Sequence, residues 1–193
     1  MNIQRLVTIA GVTLTVTVTD MASIIEDRIR FMGYSETEKI VVGLDVEWNS
    51  SDPNNKVAIL QLCSGTSCLI IQLPRLDYIP QLLKDFLADR NVTFVGVGIS
   101  GDALKLRRDH GLACENAMEI GALAATVKRD PRLARAGLVG LAREVLGLEV
   151  NKFPDVGRYS DWSATPLGYD QMVYAATDAF VSYLIGAALL EGD

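Results

Sequence analysis

Two hydrophobic periods divide the chain. Residues 3–19 set Thr against Val and Leu at alternate positions, which predicts one long strand or a hairpin broken near Gly11. Residues 21–32 carry apolar side chains at helical spacing. Three short apolar or alternating runs follow at 39–48, 57–63 and 67–73, with turn residues between them, and predict an antiparallel meander. A helix is predicted over 77–88, a buried strand over 91–98, and a helix over 102–111 that stops at Gly111. Two further helices are expected at 121–128 and 138–147, an irregular loop at 151–166, and a long closing helix at 167–190. Successive strands followed by interleaved helices predict an α/β or α+β fold, a mixed β-sheet flanked by helices.

The 193 residues suffice for one domain with a sizeable core, and no linker or repeat divides them. A net charge of −6 excludes the broad basic field of a non-specific nucleic-acid binder. It does not exclude a nuclease, because bound cations reverse the local sign of an acidic site. Basic residues gather at Lys105, Arg107 and Arg108, and again at Lys128, Arg129, Arg132 and Arg135. They read equally as a solvated face or a phosphate track. His110 is the only histidine, which removes most His-based metal sites. Cys63 and Cys68 could lie on neighbouring strands, but reduced thiols of an intracellular protein are expected. The N-terminal alternation is unlike a signal peptide, and no apolar run reaches the roughly 18 residues of a membrane span.

Carboxylates stand beside sequence that should be buried, and a charge buried without a partner is costly. In VVGLDVEW, strand alternation points Asp45 and Glu47 to one face and Val46 to the other. Hard oxygen donors at this spacing suit Mg²⁺ or Mn²⁺. Asp102 follows the Gly96-x-Gly98-x-x-Gly101 run, which has the form of a dinucleotide fingerprint. That reading is weak: the run follows a meander, Glu115 and Glu119 stand in poor context for the ribose acid, and a carboxylate at the helix start opposes a phosphate. Asp102 alone is also an ordinary first-turn acid favoured by the helix dipole. On the last helix Tyr174 and Asp178 share a face, with Asp170 one turn earlier. A phenol beside an activated water can orient it or take its proton.

In their order and spacing, these segments resemble the DEDD 3′–5′ exonucleases of ribonuclease H-like (DnaQ-like) fold. The motifs are Asp45-Val-Glu47, the stretch from Gly98 to Asp102, and Tyr174-x-x-x-Asp178. Val173 stands where the histidine-bearing branch has its histidine, so the resemblance is to the tyrosine branch. It is closest to Werner-syndrome-like exonuclease domains, covers about residues 40–190, and leaves 1–39 as an N-terminal strand and helix extension. Small stand-alone plant members look most similar, including exoribonucleases that clear fragments left by RNA silencing.

The resemblance implies two ions roughly 3.5–4 Å apart. Asp45 would bridge them, Glu47 and Asp178 would complete one site, Asp102 would help hold the other through water, and Tyr174 would position the attacking water. It further implies a single-stranded substrate with RNA favoured over DNA, release of nucleoside 5′-monophosphates, a homohexamer, RNA-silencing partner proteins and a cytoplasmic or nuclear setting without membrane contact. Trp48 would stack on the terminal base or pack in the core, Ile99 and Leu104 would line the nucleotide pocket, and Lys152, Arg158 and Trp162 would contact phosphate or close the site. The rival readings are a catalytically silent binding module of the same fold and a nucleotide-binding oxidoreductase built on the glycine run.

Overall fold

The computed structural model describes residues 1–34, 39–50, 54–150, 156–157 and 160–190. Strands β1 (Asn2–Ile9) and β2 (Val12–Thr19) pair antiparallel, so the N-terminal alternation is a hairpin. Its turn residues Ala10 and Gly11 both have positive φ (51° and 79°), the combination whose twist matches that of the flanking strands. After α1 (Ala22–Phe31) come β3 (Ile40–Trp48), β4 (Val57–Ser64) and β5 (Ser67–Gln72), the expected antiparallel meander. Then follow α2 (Gln81–Ala88), β6 (Val92–Gly96), α3 (Ile99–His110), β7 (Ala117–Glu119) and α4 (Ile120–Val127). A 3₁₀ turn, Pro131–Arg135, leads to α5 (Leu138–Leu141), which runs on as a π-helical segment over Ala142–Leu146, and α6 (Tyr169–Leu190) closes the chain.

The seven strands form one mixed sheet in the order β1-β2-β5-β4-β3-β6-β7. The β1–β2 hairpin extends it through a parallel β2–β5 pairing, and β3, β6 and β7 run parallel at the other side. This is the ribonuclease H-like arrangement that the motifs imply. Each face carries its own core. Ile25 and Ile29 of α1, Leu83 and Phe86 of α2, and Leu106 of α3 pack with Leu44, Val46, Leu60 and Phe94 on one side. The α6 residues Ala175, Ala176, Ala179 and Phe180 pack with Val16, Ile59 and Val95 on the other, joined by α4 and α5.

Three local expectations are corrected, and one strand is found that was not expected. α2 starts at Gln81, not at 77, because Pro80 caps it in an extended conformation. α3 starts at Ile99, three residues before the expected 102, because left-handed Gly98 (φ 74°) turns the chain out of β6 there. β7 spans three residues, too few for a period to register. Cys63 and Cys68 are not reduced thiols: the β4–β5 register sets them directly opposite, with Cα atoms 4.2 Å apart, and a disulfide joins them. α6 is long and apolar enough to cross a membrane (mean hydropathy 1.6), yet 67% of that window is buried within the fold. It is the central core helix.

α6 crosses β3 at Gly43. A Cβ there would lie 1.9 Å from the Ala179 carbonyl oxygen and 2.7 Å from the Tyr183 nitrogen. Neither backbone can give way, so Gly43→Ala should cost about 3 kcal/mol or more, measured by urea unfolding. Gly186→Ala meets only the Val95 side chain and should cost less. An unchanged midpoint for Gly43→Ala would contradict this packing.

Candidate active site

The contact at Gly43 builds the site. Gly43, Asp45 and Glu47 alternate onto the same face of β3, so the helix that touches Gly43 also brings its next acid to the strand. That acid is Asp178, 8% exposed and one residue before Ala179. Carboxylate oxygens of Asp45, Glu47 and Asp178 lie within 4.8 Å of one another.

Asp102 and Tyr174 complete the group. Burial holds the Asp45 carboxyl well above its ordinary range, and the nearby charges of Asp178, Glu47 and Asp102 push it the same way. Asp102 is raised to about 7 by burial and by Glu119. The Tyr174 phenol is raised by burial first, then by Asp178, Glu47 and Asp45, and it hydrogen-bonds Asp178. The charges of Asp178, Glu47 and Asp102 thus all bear on Asp45, and those of Asp178, Glu47 and Asp45 on Tyr174, while Asp102 stands outside the three carboxylates that lie within 4.8 Å of one another. Asp170, by contrast, is exposed in the first turn of α6 and lies outside the cluster. Such a cluster sheds its repulsion by taking up protons or a hard cation, and three carboxylates this close fit a divalent ion. Beside it opens a cavity of about 240 Å³ lined by Asp45, Val97, Gly137, Leu138, Asp178 and Ser182.

The glycine run is not a dinucleotide cradle. The Gly98 amide, which a phosphate would need, donates to the Glu119 carboxylate at 2.7 Å. Glu119 is thus a member of the site's surroundings that sequence reasoning set aside. Its only signal was an acid at the end of a strand too short to recognise.

The expected substrate contacts divide. Trp48 is half-buried at the end of β3, with the Lys105 ammonium 5.1 Å from its ring centroid. Ile99 is fully buried and packs in the core. Leu104 is 69% exposed and lines a separate depression with Arg107, Cys114 and Glu115. Helical spacing from the earlier start of α3 turns Ile99 and Leu106 inward and Leu104 outward, so neither Ile99 nor Leu104 walls the cavity beside Asp45. Trp162 is also fully buried; its indole N–H donates to the Gly157 carbonyl at 3.1 Å and its ring centroid lies 5.9 Å from that of Tyr174. It supports Tyr174 from behind and offers no face to a substrate. Lys152 and Arg158 lie outside the described residues. Of the basic clusters, Lys105 and Arg108 both pair with Asp109 and Arg132 pairs with Asp130, whereas Arg107, Lys128, Arg129 and Arg135 are exposed.

Comparison with known proteins places this geometry. A family model described as 3′–5′ exonuclease matches residues 18–191. The bifunctional 3′–5′ exonuclease/ATP-dependent helicase WRN of Mus musculus is 36% identical over 152 residues, covering 75% of this chain and 10% of that protein. Exonuclease 3′–5′ domain-containing protein 2 of Homo sapiens is 34% identical over 171 residues, 85% of this chain and 27% of that protein. A 3′–5′ exonuclease of Arabidopsis thaliana is 33% identical over 147 residues, 74% of this chain and 50% of that protein. The chain therefore spans from a tenth to half of the length of these relatives. The crystal structure of the EXD2 exonuclease domain superposes with a TM-score of 0.54 at 31% identity, covering 91% of this chain and 89% of that one. RNase D of Escherichia coli shares the fold at a TM-score of 0.74 and 20% identity, over 90% of this chain and 44% of that one.

The raised carboxyls give the metal-free protein a characteristic pH response. A folded-state pKa above the unfolded value favours folding at low pH, and that contribution is lost as pH rises through the folded pKa. For Asp102 the window runs from the ordinary carboxylate range up to about 7. The thermal midpoint of metal-free protein should fall between about pH 5 and pH 8. Excess Mg²⁺ or Mn²⁺ should restore more of it at the upper pH, where no protons need be displaced. The paired Asp45→Asn and Asp102→Asn variant should flatten both responses. A midpoint that rises across this window, insensitive to metal, would contradict the arrangement.

Proposed function

We propose, from a chain that belongs to the 3′–5′ exonuclease family, that it shortens single-stranded nucleic acid from the 3′ end, RNA in preference to DNA, and releases nucleoside 5′-monophosphates. The observation that carries this reading is the convergence of Asp45, Glu47 and Asp178 within 4.8 Å, with Asp102 and Tyr174 electrostatically coupled to them.

The donor set is all oxygen and anionic, which fits Mg²⁺ or Mn²⁺. A crystal structure of the EXD2 exonuclease domain soaked in Mn and Mg supports the same ions here. Asp45 would contribute to two ions, Glu47 and Asp178 to the first, and Asp102 to the second. When bound, the ions supply Lewis-acid stabilisation of phosphate charge and a lowered pKa for the attacking water. The protein's own groups do the rest. Tyr174, whose pKa is raised, stays protonated at neutral pH, and its hydrogen-bond partner is the Asp178 carboxylate. A phenol that donates to a carboxylate has only lone pairs left to offer. It therefore accepts from the attacking water and aims that water's own lone pair at phosphorus, acting as an orienting group and not as the base. The cavity beside Asp45 and Asp178 receives the terminal nucleotide; Trp48 follows Glu47 in sequence but packs against the core on the other side of the sheet and does not line that cavity.

The preference for RNA rests on the likeness of the motifs to stand-alone plant exoribonucleases. The same likeness supports a homo-oligomer, hexameric in that group, and RNA-silencing proteins as partners in cytoplasm or nucleus. Crystals of the EXD2 exonuclease domain have been soaked with both GMP and dGMP, so both sugars belong in the test.

The test uses 5′-labelled single-stranded RNA and DNA of one sequence, incubated with Mg²⁺, Mn²⁺ or EDTA. A metal-dependent ladder shortening from the 3′ end is expected, faster on RNA. Asp45→Ala should stay folded, since it removes repulsion, and lose at least about 10³-fold in rate, or roughly 4 kcal/mol of transition-state stabilisation. Equal ladders from Asp45→Ala and the parent chain would overturn the assignment.

A further inference from the structure

Asn49 is the first residue after β3, two beyond Glu47, and its side chain is wholly engaged with one distant turn. Its Nδ2 donates to Asp161 Oδ1 at 2.8 Å and to Ser163 Oγ at 2.9 Å, and its Oδ1 accepts from the Trp162 backbone N–H at 2.7 Å. The turn is closed within itself, since the Ser163 amide and hydroxyl both donate to Asp161 Oδ1, at 3.0 and 2.6 Å. Ser163 first, and then Asn49, hold the Asp161 carboxyl below its ordinary range. From the other side, Gln171 in the first turn of α6 donates to the Asp161 carbonyl at 2.9 Å and accepts from the Gly168 amide at 2.9 Å. The turn is therefore pinned to both elements that carry the acidic cluster.

Between those two anchors sits Trp162. Its indole holds Gly157 through the 3.1 Å hydrogen bond, and Gly157 in turn lies against the phenol: a Cβ on it would be 3.0 Å from the Tyr174 oxygen and 3.1 Å from Cζ. Gly157 also has φ +115°, a conformation that favours glycine. Tyr174 is thus bounded by the Trp162 ring and by the Gly157 backbone, and both are located by the turn that Asn49 grips.

We propose that Asn49 is a positioning residue: by clasping the Asp161–Ser163 turn to the end of β3, it holds Trp162 and Gly157 against Tyr174 and so fixes the phenol relative to Asp45 and Glu47. In this role it is neither a metal ligand nor a substrate contact. The proposal rests on the exonuclease reading above for its effect on rate, but the clasp itself does not. Nothing else in the sequence signals this role, because Asn after a strand reads as a turn residue.

Two readouts test it. In a Trp48→Phe background Trp162 is the only indole, and Asn49→Ala should shift its emission to longer wavelength as the buried ring is loosened. With both tryptophans present, Asn49→Ala should lower kcat on single-stranded RNA about tenfold or more, as expected when a reacting group is mispositioned, with KM changed less than about twofold. Mn²⁺ affinity by calorimetry should be unchanged, since no ligand is touched. Asp161→Ala should mimic Asn49→Ala without adding to it in the double variant, and Asp161→Asn, which keeps the Oδ1 acceptor, should retain the parent rate. Unmoved Trp162 emission, or an unchanged kcat, in Asn49→Ala would overturn the proposal. A parent chain inactive on every strand would count against the exonuclease reading alone, and Trp162 emission would then decide the clasp.

Discussion

The fold is organised around one contact, the backbone of α6 laid directly on the backbone of β3. It exists because β3 has no side chain at Gly43 and α6 presents alanines, so the Ala179 carbonyl sits where a Cβ would otherwise be. Helix and strand approach much more closely than side chains of ordinary size allow. One residue from that point on the helix, and two on the strand, stand Asp178 and Asp45. The packing that makes the core tight therefore also forces carboxylates together.

Such an arrangement is unfavourable in isolation. Burial first, and the neighbouring carboxylates after it, hold Asp45, Asp102 and Tyr174 toward the protonated state. The surrounding apolar core supplies the stability that the site itself lacks. Phe86 and Phe94 meet edge to face at 5.4 Å on one side of the sheet, and Phe180 and Trp162 are fully buried on the other. A divalent cation turns the liability into affinity, since the ligands are already gathered and need little reordering.

Around the acids the polar groups have specific partners. Glu119 takes the Gly98 amide and so closes the turn from which Asp102 projects, which also denies that turn to a phosphate. Asn49 and Gln171 grip the same turn from opposite sides. Both cases place a hydrogen bond where a loop must be held to within a fraction of an ångström, which side-chain packing alone does less well on a surface.

Much of this was legible in the sequence. Strand alternation assigned Asp45 and Glu47 to one face, helical spacing assigned Tyr174 and Asp178 to another, and the meander and long last helix follow from their periods. Those features are local: they concern how a residue is oriented about its own strand or helix axis. Other features depend on which element covers which face. The three-residue β7 and its Glu119 exist only because β6 is there to pair with. Ile99 and Leu104 were both expected to line the nucleotide pocket, but α3 begins at Ile99 and its helical spacing turns Ile99 into the core and Leu104 to solvent. Trp162 read as a substrate contact because loops usually face solvent, but α6 and the Asp161–Ser163 turn enclose it. The Cys63–Cys68 bond was decided by strand register, which a turn of two residues fixes and composition does not. Residue type and spacing were enough to anticipate an acidic cluster suited to a hard cation, because carboxylates and a phenol beside buried strands have few uses. Which neighbours hold those groups in place emerges only once the chain is folded, because that support comes from residues far apart in sequence.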